Sequence, residues 1–424
     1  MSELGWKYLT QGDKAEILKG IEDGVAYGGP YHVEIHPADR CNIDCFFCST
    51  AALRGTDEIP MPRFEELLLE LKEAGTRAVR LSGGGEPLFH RNIKAFLQAI
   101  AGSGIPIENM TANAVLLRQE LVEMLVPVCD QVTVSLNTAD EASYASMMKT
   151  NPKNFQRVVD NVKGLVAERR KRRRKTPLVN LQFLVWKENY KTIPEMYRLA
   201  REIGVDTILF NGLSFLNPDQ QMTPAETDEM MALYEGIVRE DEYRKIACIN
   251  SFEQDISGRV EEMNRRLGDE RSASTVRRAA RFLMRDDFSL PEKIEHFRKK
   301  AQAKRAMRAN QGLDDFCLIG WHSMLIRTTG VVAPCCILQG KELGNVYQTP
   351  LKDVWHGEGY QQFRRELARI MRERKSWQYD EATDKTVDGM CGLKGGCPIA
   401  SFYYWPDVRF MASFNESVKR LEAQ

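Results

Sequence analysis

A parallel α/β barrel, left incomplete after six strands and followed by a smaller cysteine-marked region, is the fold that this 424-residue sequence predicts. From residue 31 to about 245, short β-branched runs alternate six times with helical stretches. Each stretch is long enough to serve as the crossover that a parallel strand pairing requires. Several of these stretches end in Gly, the residue that best accepts the left-handed turn closing a helix.

In order, YHVEIH (31–36), RAVRLS (77–82), IPIENMT (105–111), QVTVSL (131–136), PLVNLQFLVW (177–186) and VDTILF (205–210) read as strands. Between and after them PRFEELLLELKEAG, IKAFLQAIAGSG, RQELVEMLV, NFQRVVDNVKGLVAERR, TIPEMYRLAREIG and TPAETDEMMALYEGIVRE set apolar residues at helical spacing. The chain therefore divides into a helical lead-in (1–30), a (β/α)6 partial TIM-like barrel (31–245), a charged helical connector (246–312) and a small Cys-rich C-terminal domain (313–424). The last contains short strand-like pieces, MLIRTT and VVAPCCI, and a helix from about 351 to 374.

Lys and Arg number 59 and Asp and Glu 59, so no global charge draws the protein to nucleic acid or to an anionic membrane. The opening MSELGWKYLTQGDKAEILKG lacks the apolar core of a secretion signal, and no apolar run approaches the ~18 residues of a membrane span. A cytoplasmic protein is expected. In that reducing compartment ten cysteines are metal ligands or reactive thiols before they are disulfides. Three fall at 41 to 48, five lie between Cys317 and Cys397, and Cys129 and Cys248 stand alone.

Cys41, Cys45 and Cys48 follow the first strand directly, at the C-terminal strand end where barrels carry chemistry. A trio suits neither a disulfide pair nor a closed zinc site, but its spacing lets three thiolates meet one cubic iron-sulfur cluster and leave one iron open. A zinc site with a distant fourth ligand, or plain buried thiols, are the alternatives that the residues themselves leave standing.

The stretch Cys41-x3-Cys45-x-Phe47-Cys48 resembles the signature of the radical S-adenosylmethionine (SAM) superfamily. The resemblance implies a 4Fe-4S cluster whose unligated iron chelates SAM. It also implies reductive cleavage to a 5'-deoxyadenosyl radical, and an electron from a flavodoxin- or ferredoxin-type reductant. Phe47 would lie against the adenine. SGGGEP (82–87) after the second strand resembles the family's Gly-Gly-Glu-Pro element, which assigns Gly84, Gly85 and Glu86 to the methionine ammonium. Thr111-Ala-Asn113-Ala stands where the family often has Thr-Asn-Gly, with Ala114 in place of the Gly. Ser135 and Asn137 end the fourth strand, where the family binds the SAM carboxylate and ribose, and Asn189 and Asn211 face the same mouth. Taken singly, each of these polar residues is equally well an ordinary loop hydrogen bonder.

Cys317, twelve residues, Gly330, four residues and Cys335, then Cys391 and Cys397, resemble the SPASM and twitch domains that hold auxiliary clusters. LIRTTGVVAPCC reads as a hairpin turning at Gly330. A complete SPASM pattern has more cysteines, so one auxiliary 4Fe-4S cluster is expected, on Cys317, Cys335, Cys391 and Cys397, with Cys336 able to replace Cys335. A zinc ribbon on the same ligands is the alternative.

ERRKRRRK (168–175) falls at a helix end on the barrel face opposite the trio and reads as a solvated helix terminus. Residues 259–308 carry fifteen Lys and Arg against eight Asp and Glu, which leaves room for an anionic substrate group. Cys248 is the best placed thiol for a hydrogen-atom donor, should the enzyme be an epimerase; His36, His90 and His322 receive no role. The expected function is oxidation of a small natural-product precursor, a sugar or nucleoside, or a peptide residue. Redox-neutral epimerisation, dehydration or peptide modification is the alternative, and a zinc protein binding RNA is the alternative of another class. Only about 30 residues precede the first strand, with no leader-recognition domain among them, which tilts the expectation toward a small molecule.

Overall fold

The structure is a computed structural model that describes residues 6–48, 50–213, 222–240, 247–251, 319–336, 338, 340–373, 379–380 and 385–386. Most of the connector, and with it Cys317, Cys391 and Cys397, lies outside the described residues.

Strands β1 (His32–Ile35), β2 (Ala78–Leu81), β3 (Ile107–Ala112), β4 (Gln131–Ser135), β5 (Leu178–Val185), β6 (Thr207–Gly212) and β7 (Ala247–Ser251) pair in chain order, all parallel. Helices α1 (Gln11–Asp23), α2 (Met61–Glu73), α3 (Ile93–Ser103), α4 (Gln119–Leu125), α5 (Glu141–Met148), α6 (Lys153–Lys171), α7 (Ile193–Ile203) and α8 (Pro224–Glu240) precede or separate them. The result is the expected partial barrel: an unclosed, mostly parallel sheet backed by helices. None of the described helices is long and apolar enough to cross a membrane.

Alternation along the strands sorts the side chains into two faces. Val33, Ile35, Val79, Leu81, Met110, Val132, Val134, Leu181, Phe183, Ile208 and Phe210 are fully buried and join the helices in one apolar core. Their neighbours Glu34, Arg80, Thr111, Thr133, Asn180 and Gln182 turn to the concave side, in rows that the register aligns: Glu34 with Arg80, Thr111 with Thr133, Thr133 with Asn180. Closed barrels fill this interior with Val, Ile and Leu. Here it is polar and partly open, with Glu34, Arg80, Thr111, Ser135, Gln182 and Asn211 all partly exposed.

Local signals set the ends of the elements. Thr10 and Asp13 form a reciprocal cap at the start of α1, each side chain bonding the other's backbone N–H. Helices α3 and α7 stop at Gly104 and Gly204, both left-handed. Asp140 caps α5 by accepting from the Ser143 backbone at 2.9 Å.

Four features depart from the expectation. Helix α5 (EASYASMM) is not among the helical stretches, because it is short and its small residues blur the apolar spacing. Strand β7 lies in the segment read as helical connector. The anticipated helix from 351 is two, α10 (Leu351–His356) and α11 (Glu358–Glu373), broken at Gly357, whose backbone is extended. A side chain at Gly359 would also come within 2.3 Å of the Leu343 carbonyl.

The fourth is long-range. After a one-turn helix α9 (Ile319–His322), strand β8 (Ser323–Ile326) adds in parallel beside β1, His32 opposite Ser323. The chain then turns at Gly330, φ 77°, into β9 (Val331–Ala333), antiparallel to β8, and on to β10 (Gly344–Asn345). The hairpin read from LIRTTGVVAPCC is therefore present, and it extends the barrel sheet.

At the N-terminal ends of the strands the basic run acts as a staple. Arg169 is buried, pairs with Asp206 and donates to the Pro177 carbonyl at 2.8 Å, while Arg174 donates to the Pro127 carbonyl at 3.2 Å. These contacts tie α6 to the loops entering β4, β5 and β6.

Candidate metal and cofactor site

The cysteine loop runs from the end of β1 and is held on two sides. On one side, Gly85 and Glu86 donate their backbone N–H groups to the carbonyls of Ala38 (3.0 Å) and Arg40 (2.9 Å). A side chain at Gly85 would stand 2.1 Å from the Arg40 carbonyl, and one at Gly84 2.6 Å from an Asp39 carboxylate oxygen. The glycines of SGGGEP are thus required first by the approach of the two loops to one another. On the other side, Asp44 and Phe46 donate to the carbonyls of Met148 (3.1 Å) and Met147 (3.2 Å) at the end of α5. Thr50 closes the loop, its hydroxyl donating to the Gly84 carbonyl at 2.9 Å and lying 3.4 Å from the Cys48 sulfur.

Cys41, Cys45 and Cys48 are free and half-buried. Burial raises the Cys41 thiol above its ordinary range, and burial followed by the neighbouring Cys41 and Cys48 pushes Cys45 up to about 12. Cys41 and Cys45 therefore hold their protons more tightly than free thiols do, and a bound cation would favour their thiolate forms. Among the described residues no three His, Cys, Asp or Glu side chains gather closely enough for a single metal ion. A cubane spreads its thiolates over separate irons and does not ask for such convergence.

Glu86 is buried and accepts from the backbone of Asn113 at 2.7 Å and of Leu88 at 3.4 Å. Burial lifts its pKa to about 7 against those two bonds. An arriving ammonium would restore the charged form.

Asn113 is fully engaged, its side-chain amide donating to Asn42 at 2.8 Å and toward the Cys41 sulfur at 3.8 Å, while its oxygen accepts from Val115 at 3.0 Å. Ala114, where the family pattern has Gly, sits at φ 61°, the conformation for which Gly is suited. Asn137 has the same twist, φ 62°, which Asn tolerates.

The Ser135 hydroxyl lies 3.5 Å from Gln182, and Asn211 is partly exposed at the end of β6. Asn189 accepts from the Trp186 backbone at 2.9 Å and donates to the carbonyls of Leu184 (2.7 Å) and Asn137 (3.4 Å). Phe47 lies edge-on to Phe46, ring centroids 5.3 Å apart, beside an apolar shelf of Met147, Trp186 and Leu213.

Among the described residues, four buried polar atoms around this mouth find no hydrogen-bond partner: Asn42 Nδ2, Asn137 Oδ1, the Tyr144 hydroxyl and Trp186 Nε1. Buried polar groups are normally paired. Three free thiols, a buried Glu whose pKa burial lifts to about 7, and these four atoms fit a polar, sulfur-ligated cofactor. Tyr144, Met147 and Trp186 are absent from the sequence reading; the Asp140 cap, three residues ahead of Ser143, is the signal by which α5 and its tyrosine could have been found.

Of the second cysteine set, Cys335 is buried with its sulfur 3.5 Å from the Leu338 backbone N–H, and Cys336 is half-buried. The hairpin that carries them touches the first loop: Thr328 donates to the buried Asp39 carboxylate at 2.6 Å. Cys129 is fully buried and donates to the Gln131 carbonyl at 3.0 Å. Burial pushes its thiol up to about 12, which makes it inert. Cys248 is in β7, where the register sets it opposite Ile208, a residue of the apolar core.

Residues 35–200 match the Radical SAM superfamily and residues 317–382 the SPASM iron-sulfur cluster-binding domain. The chain is a radical SAM protein with a SPASM domain. A radical SAM domain carries a 4Fe-4S cluster and SAM, and a SPASM domain carries auxiliary iron-sulfur binding. This radical SAM protein is 29% identical over 171 residues to a probable GTP 3',8-cyclase of Sulfurisphaera tokodaii, a match over 40% of this chain and 51% of that one. To the GTP 3',8-cyclase of Rhodopirellula baltica it is 31% identical over 144 residues, 32% of this chain and 38% of that one. The chain thus spans about half the length of the first curated relative and less of the second.

In fold it resembles Streptococcus suis SuiB bound to S-adenosylmethionine, with TM-score 0.57 and 18% identity over 94% of this chain and 81% of that one. It also resembles anSMEcpe with bound AdoMet and Kp18Cys peptide, with TM-score 0.52 and 13% identity over 92% of this chain and 97% of that one.

Proposed function

We propose that Cys41, Cys45 and Cys48 hold the SAM-binding 4Fe-4S cluster, and that the enzyme abstracts a hydrogen atom from a small polar molecule or a peptide residue held in the barrel, most often for net oxidation. The observation that carries this reading is the half-buried, free trio clamped between SGGGEP and α5. When bound, the cluster and SAM supply a 5'-deoxyadenosyl radical; the chain's own residues aim it. Glu86 receives the methionine ammonium and becomes charged as it does so. Gly84 and Gly85 bring backbone close, Phe47 covers the adenine, and Ser135, Asn137 and Asn211 offer hydrogen bonds at the mouth. Asn113 orients the Cys41 segment through Asn42, and Asn189 orients Asn137.

The polar concave face supports a polar substrate. Glu34 meets His36 at 3.3 Å and also Ser82. Although burial alone would raise its pKa, the His36 hydrogen bond and the charge of Arg80 hold it down at about 2. The floor of the barrel therefore keeps a fixed anion beside a fixed cation, a setting for hydroxyl, amide or amine groups and a poor one for a lipid. Cys317, Cys335, Cys391 and Cys397 would hold the auxiliary cluster, with a ferredoxin- or flavodoxin-type protein as electron donor. An auxiliary cluster suits oxidation, since a substrate radical must pass an electron on. The GTP 3',8-cyclase relatives favour a second reading, redox-neutral ring closure on a nucleotide.

The test is anaerobic reconstitution followed by dithionite and SAM. About eight irons, four per cubane, and formation of 5'-deoxyadenosine are expected. Substituting Cys41, Cys45 and Cys48 together should halve the iron and abolish 5'-deoxyadenosine. Retention of all the iron in that variant sinks the assignment.

A further inference from the structure

Tyr144 belongs to a helix that the sequence hides, and nothing in the reading above gives it work. It shares one face of α5 with Met147 and Met148, all three buried. The carbonyls of the two methionines receive the backbone of the cysteine loop, and the Met148 sulfur lies 3.7 Å from the Cys45 sulfur. One turn back, the Tyr144 ring stands edge-on to Phe155 at 5.8 Å, with its hydroxyl buried and without a partner among the described residues. Burial acts on that hydroxyl most, and the ionisable groups that follow are Cys45, Glu86 and Cys41. Burial holds its proton in place, so it remains a donor.

A buried phenol ordinarily finds an acceptor. The sulfur of a thiol is a weak acceptor. Cluster-bound sulfur is a good one.

We propose that the Tyr144 hydroxyl donates a hydrogen bond to the sulfur of the Cys45-ligated corner of the SAM-binding cluster and thereby makes that cluster easier to reduce. The inference rests on the assignment of Cys41, Cys45 and Cys48 as ligands. A donor aimed at cluster sulfur stabilises the added electron and raises the potential. The residue would set how readily the first electron enters.

The test is an EPR-monitored redox titration of the reconstituted holoenzyme, with and without Tyr144→Phe, in a background where the auxiliary signal is followed separately. Phe keeps the ring and removes only the hydroxyl. At a fixed potential near the midpoint the reduced-to-oxidised ratio should fall about tenfold, 59 mV for a one-electron couple, with the auxiliary signal unmoved. Replacing Tyr144 with 3-fluorotyrosine, a stronger donor, should shift the midpoint the other way. An unchanged midpoint in Tyr144→Phe with full iron content overturns the proposal, as does an equal shift of both clusters. If Tyr144→Phe loads iron poorly, the fluorotyrosine protein decides: no upward shift overturns the proposal equally. Failure of the ligand assignment itself looks different, because the triple cysteine variant would then keep the signal.

Discussion

At the N-terminal ends of the strands, charges meet partners. Arg169 reaches Asp206 and the Pro177 carbonyl, Arg77 clasps Asp13 through two hydrogen bonds of 2.8 Å, and His32 pairs with Glu108 in the interior. At the C-terminal ends, Asn42, Asn137, Tyr144 and Trp186 keep buried polar atoms without partners among the described residues, burial lifts the Glu86 pKa to about 7, and Ala114 holds a left-handed backbone. The same strands supply both ends. The difference shows where the sequence has been optimised for folding and where it has accepted cost so that something else can bind.

The largest expected effect falls on the open end. Cys45→Ala alone should abolish SAM cleavage, measured as 5'-deoxyadenosine, while urea denaturation of the metal-free protein changes by about 1 kcal/mol or less, because that thiol is only half-buried. A large loss of stability would mean that the trio is core.

At the closed end the signs reverse. Arg169→Ala removes a buried cation and leaves Asp206 and a carbonyl short of a donor, which should cost about 2 to 4 kcal/mol in urea denaturation. Cleavage of SAM per folded molecule should stay as in the wild type.

Glu86→Gln should separate stability from function at one residue. The folded pKa of Glu86, about 7, lies above its ordinary 4.5, so the folded protein keeps a proton that the unfolded chain releases. Stability of the metal-free protein should therefore fall as pH rises from 4.5 through 7, and the Gln variant should escape that fall. At pH 8 the variant should be more stable by roughly 1 to 3 kcal/mol and bind SAM more weakly. Parallel stability curves for the two proteins would show that Glu86 is not held uncharged.

The smallest effect is at Ala114. Gly relieves about 1 to 2 kcal/mol of left-handed strain but adds chain entropy and removes a buried methyl, so Ala114→Gly should stay within about 0.5 kcal/mol of wild type by thermal unfolding.

Legibility in the sequence followed the range of the cause. The six strands, the cysteine loop, SGGGEP and the hairpin turning at Gly330 are written in contiguous residues and were readable there. Helix α5 escaped because Ala, Ser and Met carry little periodicity over two turns; only its Asp140 cap marks it. Strand β7 escaped because ACINS is brief and lies against a charged segment. The single helix from 351 hid a break at Gly357, and the close approach of Leu343 to Gly359 is a contact that no local pattern announces. At Asn189 the residue type and the strand end are legible, whereas its hydrogen bonds to the Trp186 and Leu184 backbone depend on how the chain folds back on itself. The pairing of β8 with β1 joins residues nearly three hundred positions apart, which no local pattern encodes.

That last pairing bears on how the protein can be dissected. Because β8 covers the flank of β1, a fragment cut off after residue 245 would expose the ladder groups of the strand that leads into the cysteine loop. It would also lose the hydroxyl that Thr328 lends to Asp39. Such a bare flank invites intermolecular pairing. Aggregation of an isolated barrel would then report a missing neighbour, and activity tests belong on the undivided chain.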